Sequence, residues 1–179
     1  MEQTQIVNTT MYDWDTVLHL FEQAMKLQGV NDYKVWESID NKGLEKDILN
    51  SLQYKILQGD TIICVFSVQF KDPHIWRDRD RNDAIYLHRI VVNPLFKGQN
   101  QFKKVLTWAM EYARSKNLNY IRMDTWADNQ KIINYYKSFG FVFIEKYKTS
   151  NSPELPAQNR NLDVALLEIN VQAIPQPES

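Results

Sequence analysis

The residues best placed to do chemistry begin with Lys97-Gly98-Gln99-Asn100-Gln101-Phe102, which lie between an apolar run and an amphipathic one. A strand that turns tightly into a helix gathers N–H groups and the positive end of the helix dipole, a combination suited to an anion such as phosphate. Gly98 lets the backbone approach such a ligand with no side chain between. Asn100 adopts left-handed geometry more readily than other non-glycine residues. Phe102 fits this reading if it points into the buried stripe of the helix, and blocks the anion if it points outward. A plain strand–turn–helix corner is the other reading of the same residues. Histidine is the residue type suited to act as a general base near neutral pH, which makes His88 a candidate, although a lone histidine on a strand is more often a hydrogen-bonded packing residue. Asp72, Asp124 and Glu37 carry no pattern that singles one out as a base. Cys64, inside Ile62-Ile63-Cys64-Val65-Phe66, reads as core rather than nucleophile. No His/Cys/Asp cluster has metal-ligand spacing, so no metal is expected.

The elements that must hold these groups follow from periodicity. Ala84 to Val92 is an apolar strand stopped by Asn93-Pro94, because proline cannot donate to a ladder and pushes its predecessor out of the helical region. A helix from about Asn100 to Ser115 carries Phe102, Val105, Leu106, Ala109 and Ala113 on one face. Upstream, Gln3 to Asn8 reads as a strand. Asp13 to Gln28 reads as a helix capped by Thr10 or Asp13 and stopped at Gly29. Asn31 to Lys42 is irregular, with Tyr33 and Trp36 as anchors, and Leu44 to Leu52 is a short helix. Tyr54–Leu57 and Thr61–Phe70 form a hairpin around Gly59-Asp60. Residues 71–83, with alternating Arg and Asp, read as a solvated loop; the functional alternative is an acceptor-facing loop in which Trp76 or an arginine touches substrate. Tyr120–Thr125, a short helix, Phe141–Lys148 and Leu162–Val171 complete the pattern. Residues 1–172 are expected to form one domain, and 173–179 a disordered tail.

Four segments together resemble the GCN5-related N-acetyltransferase (GNAT) family. They are Ile90-Val91-Val92-Asn93-Pro94, the loop Lys97 to Phe102, the strand Tyr120-Ile121-Arg122-Met123-Asp124-Thr125, and Asn129 to Phe141. The last looks like the family's Asn-x-x-Ala-x-x-x-Tyr-x-x-x-Gly-Phe. In the loop, Asn100 and Phe102 stand where the family has small residues. The resemblance implies an α/β fold with a mixed, mostly antiparallel central sheet of about seven strands and about four helices, splayed between the strands at Ile85–Val92 and Tyr120–Thr125. It also implies acetyl-CoA as co-substrate. The backbone of Ile90, Val91 and Val92 would pair with the cofactor, and an N–H of Val91 or Val92 would receive the thioester oxygen. Lys97, Gly98, Gln99, Asn100, Gln101 and Phe102 would cradle the pyrophosphate. Asn129 and Asn134 would touch the pantetheine arm, although Asn129 could equally start a helix. Tyr136 would protonate the departing thiolate, a reasonable task for a phenol. The expected catalytic residues are thus Tyr136 and His88, although Tyr136 also shares a helical face with Ile132 and Ile133, as a core tyrosine would.

The implied reaction is transfer of an acetyl group to a primary amine by direct attack in a ternary complex. The alternative is a weak or inactive ligand-binding protein on the same fold, motivated by the missing glycines. A further rival is an interaction module using Trp36, Trp76 and Trp126 as an exposed patch. Polyamines, amino acids, aminoglycosides and protein amines all remain open as the small-molecule or peptide acceptor, and so does a homodimer. With 179 residues, 44% hydrophobic and 24% charged, a well-packed core is expected. The net charge of −1 argues against nucleic acid or an anionic membrane as partner. One cysteine, no long apolar segment and no leader-like N-terminus give the expectation of a cytoplasmic protein.

Overall fold

The computed structural model describes residues 3–30 and 38–173. The expectations for Tyr33, Trp36 and Glu37, and for the tail beyond Ala173, lie outside those residues. The described chain forms seven strands: β1 (Thr4–Asn8), β2 (Gln53–Gln58), β3 (Thr61–Gln69), β4 (Ala84–Val92), β5 (Tyr120–Trp126), β6 (Val142–Lys148) and β7 (Asp163–Asn170). Its helices are α1 (Trp14–Val30), α2 (Asn41–Leu49), α3 (Pro73–Trp76), α4 (Gln101–Ser115) and α5 (Gln130–Lys137). They accompany an open mixed sheet of order β1-β2-β3-β4-β5-β7-β6. The mixed, mostly antiparallel α/β architecture expected from the sequence is present. Five helices replace the expected four, because residues 73–79 are helical rather than a loop. Helix α1 also runs through Gly29 to Val30 instead of stopping there.

The chain divides into two compact units. The first comprises residues 1–68 and 88–105. Its strands β1 and β2 pair antiparallel, Thr4 opposite Gln58 through Asn8 opposite Tyr54. Strand β3 pairs antiparallel with β2 and shifts register between Ile56 and Leu57. Val17, Leu20 and Phe21 of α1 meet Leu44 and Ile48 of α2 over Ile62, Val65 and Val91. These residues recur at helical spacing on α1 and α2, so both helices lay one apolar stripe on the sheet. Asp13 accepts hydrogen bonds from the Thr10 N–H (2.8 Å) and from Lys55 Nζ (2.8 Å to each oxygen). Burial alone would raise the Asp13 pKa. The Lys55 ammonium and Thr10 more than offset that, and the carboxyl is held below its ordinary value.

The second unit comprises residues 69–87 and 106–179. Here β4 and β5 run parallel, but their ladder covers only Ala84–Tyr86 against Tyr120–Arg122. By contrast, β5 pairs with β7 from Tyr120 to Trp126. Strand β6 pairs antiparallel with β7, with a register shift between Phe143 and Glu145. A cluster of Ile75, Trp76, Ala84, Tyr86, Val164 and Leu166 packs this unit.

Arg122, almost fully buried on β5, is the polar centre of the second unit. Its guanidinium donates to Glu168 Oε2 (2.7 Å), Asp83 Oδ1 (3.1 Å), the Arg79 carbonyl (2.7 Å) and the Tyr86 hydroxyl (3.1 Å). Trp76 and Tyr120 lie 5.0 and 4.9 Å from it, within cation–π range. Tyr86 in turn donates to Asp80 Oδ1 at 2.6 Å. Burial, followed by that bond to Asp80, pushes the Tyr86 pKa well above its ordinary value. The segment 71–83 is therefore helical over 73–79 and buries Ile75 and Trp76, while Arg77, Asp78, Arg79 and Arg81 stay exposed. Trp76 is fully buried, which removes it both from substrate contact and from an exposed aromatic patch. Arg77 pairs with Glu145 and stacks on Tyr147, 3.9 Å from the ring centre.

Candidate functional site

In the first unit, β4 ends at Asn93, whose side chain donates to the Ile62 carbonyl (3.0 Å) and accepts from the Leu95 N–H (3.1 Å). The Asn93 N–H donates to the Ile63 carbonyl at 2.9 Å. These bonds fix where the strand stops and the turn begins. A 3-10 turn, Pro94–Phe96, follows. Gly98 (φ +79°) and Asn100 (φ +56°) then take left-handed conformations, the geometry that glycine permits and asparagine tolerates better than most residues. A β-carbon on Gly98 would meet no atom within 4 Å, so the backbone there faces open space.

Helix α4 starts at Gln101. Within its first turn the Lys103 N–H donates to the Asn100 carbonyl at 3.0 Å. Phe102 is buried, as are Val105, Leu106 and Ala109. The aromatic side chain thus points inward rather than over the turn. Gln101 is buried too and accepts from Lys104 Nζ at 3.0 Å. Lys97, Gly98, Gln99 and Asn100 are exposed.

Upstream on β4, Ile90 and Val92 are half-buried and Val91 is buried. His88 is half-buried on the same strand. Just before Ile90, Arg89 has φ +52°, a left-handed conformation inside a strand. For a side chain without asparagine's local hydrogen bonding this costs about 1–2 kcal/mol. Its guanidinium is held on α2. Nη1 donates to Asp47 Oδ2 at 2.5 Å, and Nη2 to Asp40 Oδ2 at 3.0 Å. Asp40 caps α2, accepting from the Gly43 N–H at 3.1 Å. A β-carbon on Gly43 would collide with the Asp40 carboxylate and lie 2.7 Å from Arg89 Nη2. A glycine inside a helix normally weakens it; here it makes room for an ion pair.

Sequence reading missed Asp40, Gly43, Asp47 and Arg89. The available signals were an arginine in a mostly apolar strand and a glycine between two carboxylates seven residues apart, hence on one helical face.

Cys64 is fully buried on β3, and burial pushes its thiol up to about 12. It is thus core rather than a thiolate nucleophile, as expected.

In the second unit, Asn129 caps α5 by accepting from the Ile132 N–H at 3.1 Å. Ile133 is the buried residue of the helix. Tyr136 is half-buried, its ring 5.5 Å from that of Tyr135 and 6.3 Å from that of Phe141. Asn134 is exposed and accepts from Gln130 Nε2 at 2.9 Å. Asp124 and Trp126 are half-buried on β5. Asp72, also half-buried, stands before α3, its N–H bonded to Asp80 Oδ2 at 3.1 Å. Glycine is favoured at position 140, where φ is +98° and a β-carbon would lie 3.4 Å from Ile169 Cδ1. The Gly-Phe pair thus leads from the end of α5 into β6.

Three comparisons bear on this arrangement. A stretch of 73 residues is 33% identical to YesJ, an uncharacterised N-acetyltransferase of Bacillus subtilis (strain 168), covering 41% of each chain. The match thus spans about two-fifths of that relative. The fold superposes on a GNAT-family acetyltransferase from Listeria monocytogenes 4b F2365 with a TM-score of 0.77 at 17% identity, covering 93% of this chain and 94% of that one. It also superposes on yncA from Salmonella typhimurium, solved with its cofactor acetyl-CoA, with a TM-score of 0.63 at 15% identity and 98% coverage of both. These two likenesses establish the fold. Residues 14–141 match the acetyltransferase (GNAT) family, a span well over half of the sequence, and the chain belongs to that family.

Proposed function

We propose that the protein transfers an acetyl group from acetyl-CoA to a primary amine by direct attack in a ternary complex. The observation that carries this reading is the turn before α4. Left-handed Gly98 and Asn100, with Phe102 turned inward, leave a side-chain-poor backbone at a helix N-terminus, suited to a pyrophosphate. Asn100 and Phe102, in place of small residues, motivate the inactive alternative; the burial of Phe102 supports the acetyl-CoA reading at that position.

In this reading Lys97, Gly98, Gln99, Asn100, Gln101 and Phe102 bind the pyrophosphate, mainly through backbone N–H groups. The backbone of Ile90, Val91 and Val92 pairs with the pantetheine arm, and an N–H there receives charge that develops on the thioester oxygen. Asn129 and Asn134 support the cofactor arm. Tyr136 supplies a proton to the departing thiolate, and His88 is the candidate base for the incoming ammonium. Acetyl-CoA contributes the activated acyl group and the leaving thiol. The acceptor is a small-molecule or peptide amine.

The test is thiol release from acetyl-CoA across a panel of polyamines, amino acids, aminoglycosides and peptides, with the N-acetyl product identified by mass. At least one amine should yield product in step with thiol. Tyr136→Phe should then lower the turnover rate by about 10²–10⁴, the range of a general acid, with little loss of stability because the ring remains. Cofactor binding without turnover on any amine would favour the inactive alternative. Full turnover in the Phe variant would assign Tyr136 to packing.

A further inference from the structure

Arg89 is the one left-handed residue inside a β-strand among the described residues. It immediately precedes the backbone stretch assigned above to the thioester. Left-handed geometry is unfavourable for arginine and persists only where surrounding contacts over-determine it. Those contacts are present. Asp40 and Asp47 hold two guanidinium nitrogens at 3.0 and 2.5 Å, with the Asp47 side chain only 6% exposed. Gly43 leaves the space in which they meet. Removing the β-carbon at position 43 costs helix propensity in α2, so the helix gives up local stability where the guanidinium docks.

We infer that Arg89 is a positioning residue. Its clamp on Asp40 and Asp47 holds β4 in the left-handed turn that aims the N–H groups of Ile90 to Val92. The inference rests on the acetyl-CoA reading above. It adds to that reading the device that sets the aim, and the carboxylates that lock it. A structural ion pair would join α2 to β4 through ordinary strand geometry. Here the pair sits on the residue whose backbone departs from it, and the departure falls where the strand must present donors. Without the clamp, any side chain with a β-carbon at position 89 drives the backbone back toward an extended conformation, rotating the following peptide groups. Glycine has no such drive.

That difference gives the test. Acetyl-CoA labelled with ¹³C at the acetyl carbonyl is bound to wild-type protein, Arg89→Ala, Arg89→Gly and Asp47→Asn, and the bound carbonyl resonance is recorded. A hydrogen bond to the oxygen polarises the carbonyl and moves that resonance downfield. The wild-type protein should show the displacement. Arg89→Ala should lose most of it, and Arg89→Gly should keep most of it, although both lack the guanidinium. Asp47→Asn retains the side-chain shape and half the clamp, so it should fall between wild type and Ala and provides a variant whose fold is least at risk. Affinity should change by less than about threefold, because the effect is on aim rather than on cofactor binding. A role confined to stability would lower melting temperature in all three without separating Gly from Ala. Equal displacement in wild type and Ala, or equal loss in Ala and Gly, overturns the inference. A folded wild-type protein that does not bind acetyl-CoA overturns the function reading, and the inference with it. Binding without any displacement in wild type leaves the cofactor assignment standing and removes the role of these N–H groups, and hence of Arg89.

Discussion

Two arginines, each holding two carboxylates, serve different ends in the two units. Arg122 lies on β5 in ordinary strand geometry, buried among Trp76, Tyr86 and Tyr120, and its partners Glu168 and Asp83 come from β7 and from the residue before β4. Arg89 lies on β4 with a left-handed backbone, is more exposed, and has both partners on or capping a single helix. One charge is a hub on which several segments converge; the other is a lock on one awkward peptide. Burial sets the energetic scale. A charge taken out of water depends on its partners, so the Arg122 network has the larger share in stability. Removing Arg89 loses a pair but also lets the backbone relax.

The largest expected effect follows from that contrast. Arg122→Met should cost about 3–5 kcal/mol in denaturant unfolding, because Glu168 and Asp83 are left without their buried counter-charge. Arg89→Ala should cost about 1 kcal/mol, the lost pair being partly offset by relief of left-handed strain. Equal losses in the two variants would erase the distinction.

Within the Arg122 hub, Tyr86→Phe removes a hydroxyl that accepts from Arg122 and donates to Asp80. The ring stays packed against Trp76. Unfolding should become easier by about 1–3 kcal/mol, the range for leaving buried partners unsatisfied. A neutral result would mean that Trp76 and the carboxylates hold Arg122 without the phenol.

The smallest effect lies in the first unit, at the Asp13–Lys55 pair. The Asp13 pKa is lower in the folded chain than the ordinary aspartate value, so the unfolded chain binds the proton more tightly. The stability this provides is present above the unfolded value and is lost as pH falls through the folded one. Wild type should therefore lead Asp13→Asn in melting temperature near neutral pH, and the lead should shrink below about pH 4. A lead that does not change with pH would assign the stabilisation to shape rather than charge.

Much of this was legible from local pattern. Ala84–Val92 is an unbroken strand stopped by Asn93-Pro94 and was read with the bounds it has. The spacing of Phe102, Val105, Leu106 and Ala109 puts Phe102 on the buried stripe of α4, where the structure has it. The likeness of Asn129 to Phe141 to the family's motif marked α5 and the strand that follows. In residues 71–83 the exposed Arg77, Asp78, Arg79 and Arg81 fit the solvated reading, but the helical turns and the buried Ile75 and Trp76 do not. The segment's partners, Glu145 and Tyr147 on β6 and Arg122 on β5, lie far along the chain, and tertiary contacts override the local signal. The left-handed backbone of Arg89 was not legible for a related reason. No residue type announces a left-handed arginine, and the carboxylates that stabilise it lie more than 40 residues upstream. The roles of Tyr136 and His88 came from resemblance or from side-chain chemistry alone, since neither periodicity nor spacing separates a catalytic group from a packing one.

The central claim is that acetyl-CoA binds at the turn before α4, and calorimetric titration of acetyl-CoA into wild type, Asn100→Gly and Gly98→Val tests it most directly. Wild type should bind one equivalent. Asn100→Gly should bind as well or slightly better, since glycine takes the same left-handed conformation at less steric cost. Gly98→Val should weaken binding by about tenfold or more, roughly 1.4 kcal/mol, because it strains the turn and places a side chain in the open space facing it. No heat from folded wild-type protein, or equal affinity in Gly98→Val, would contradict the account.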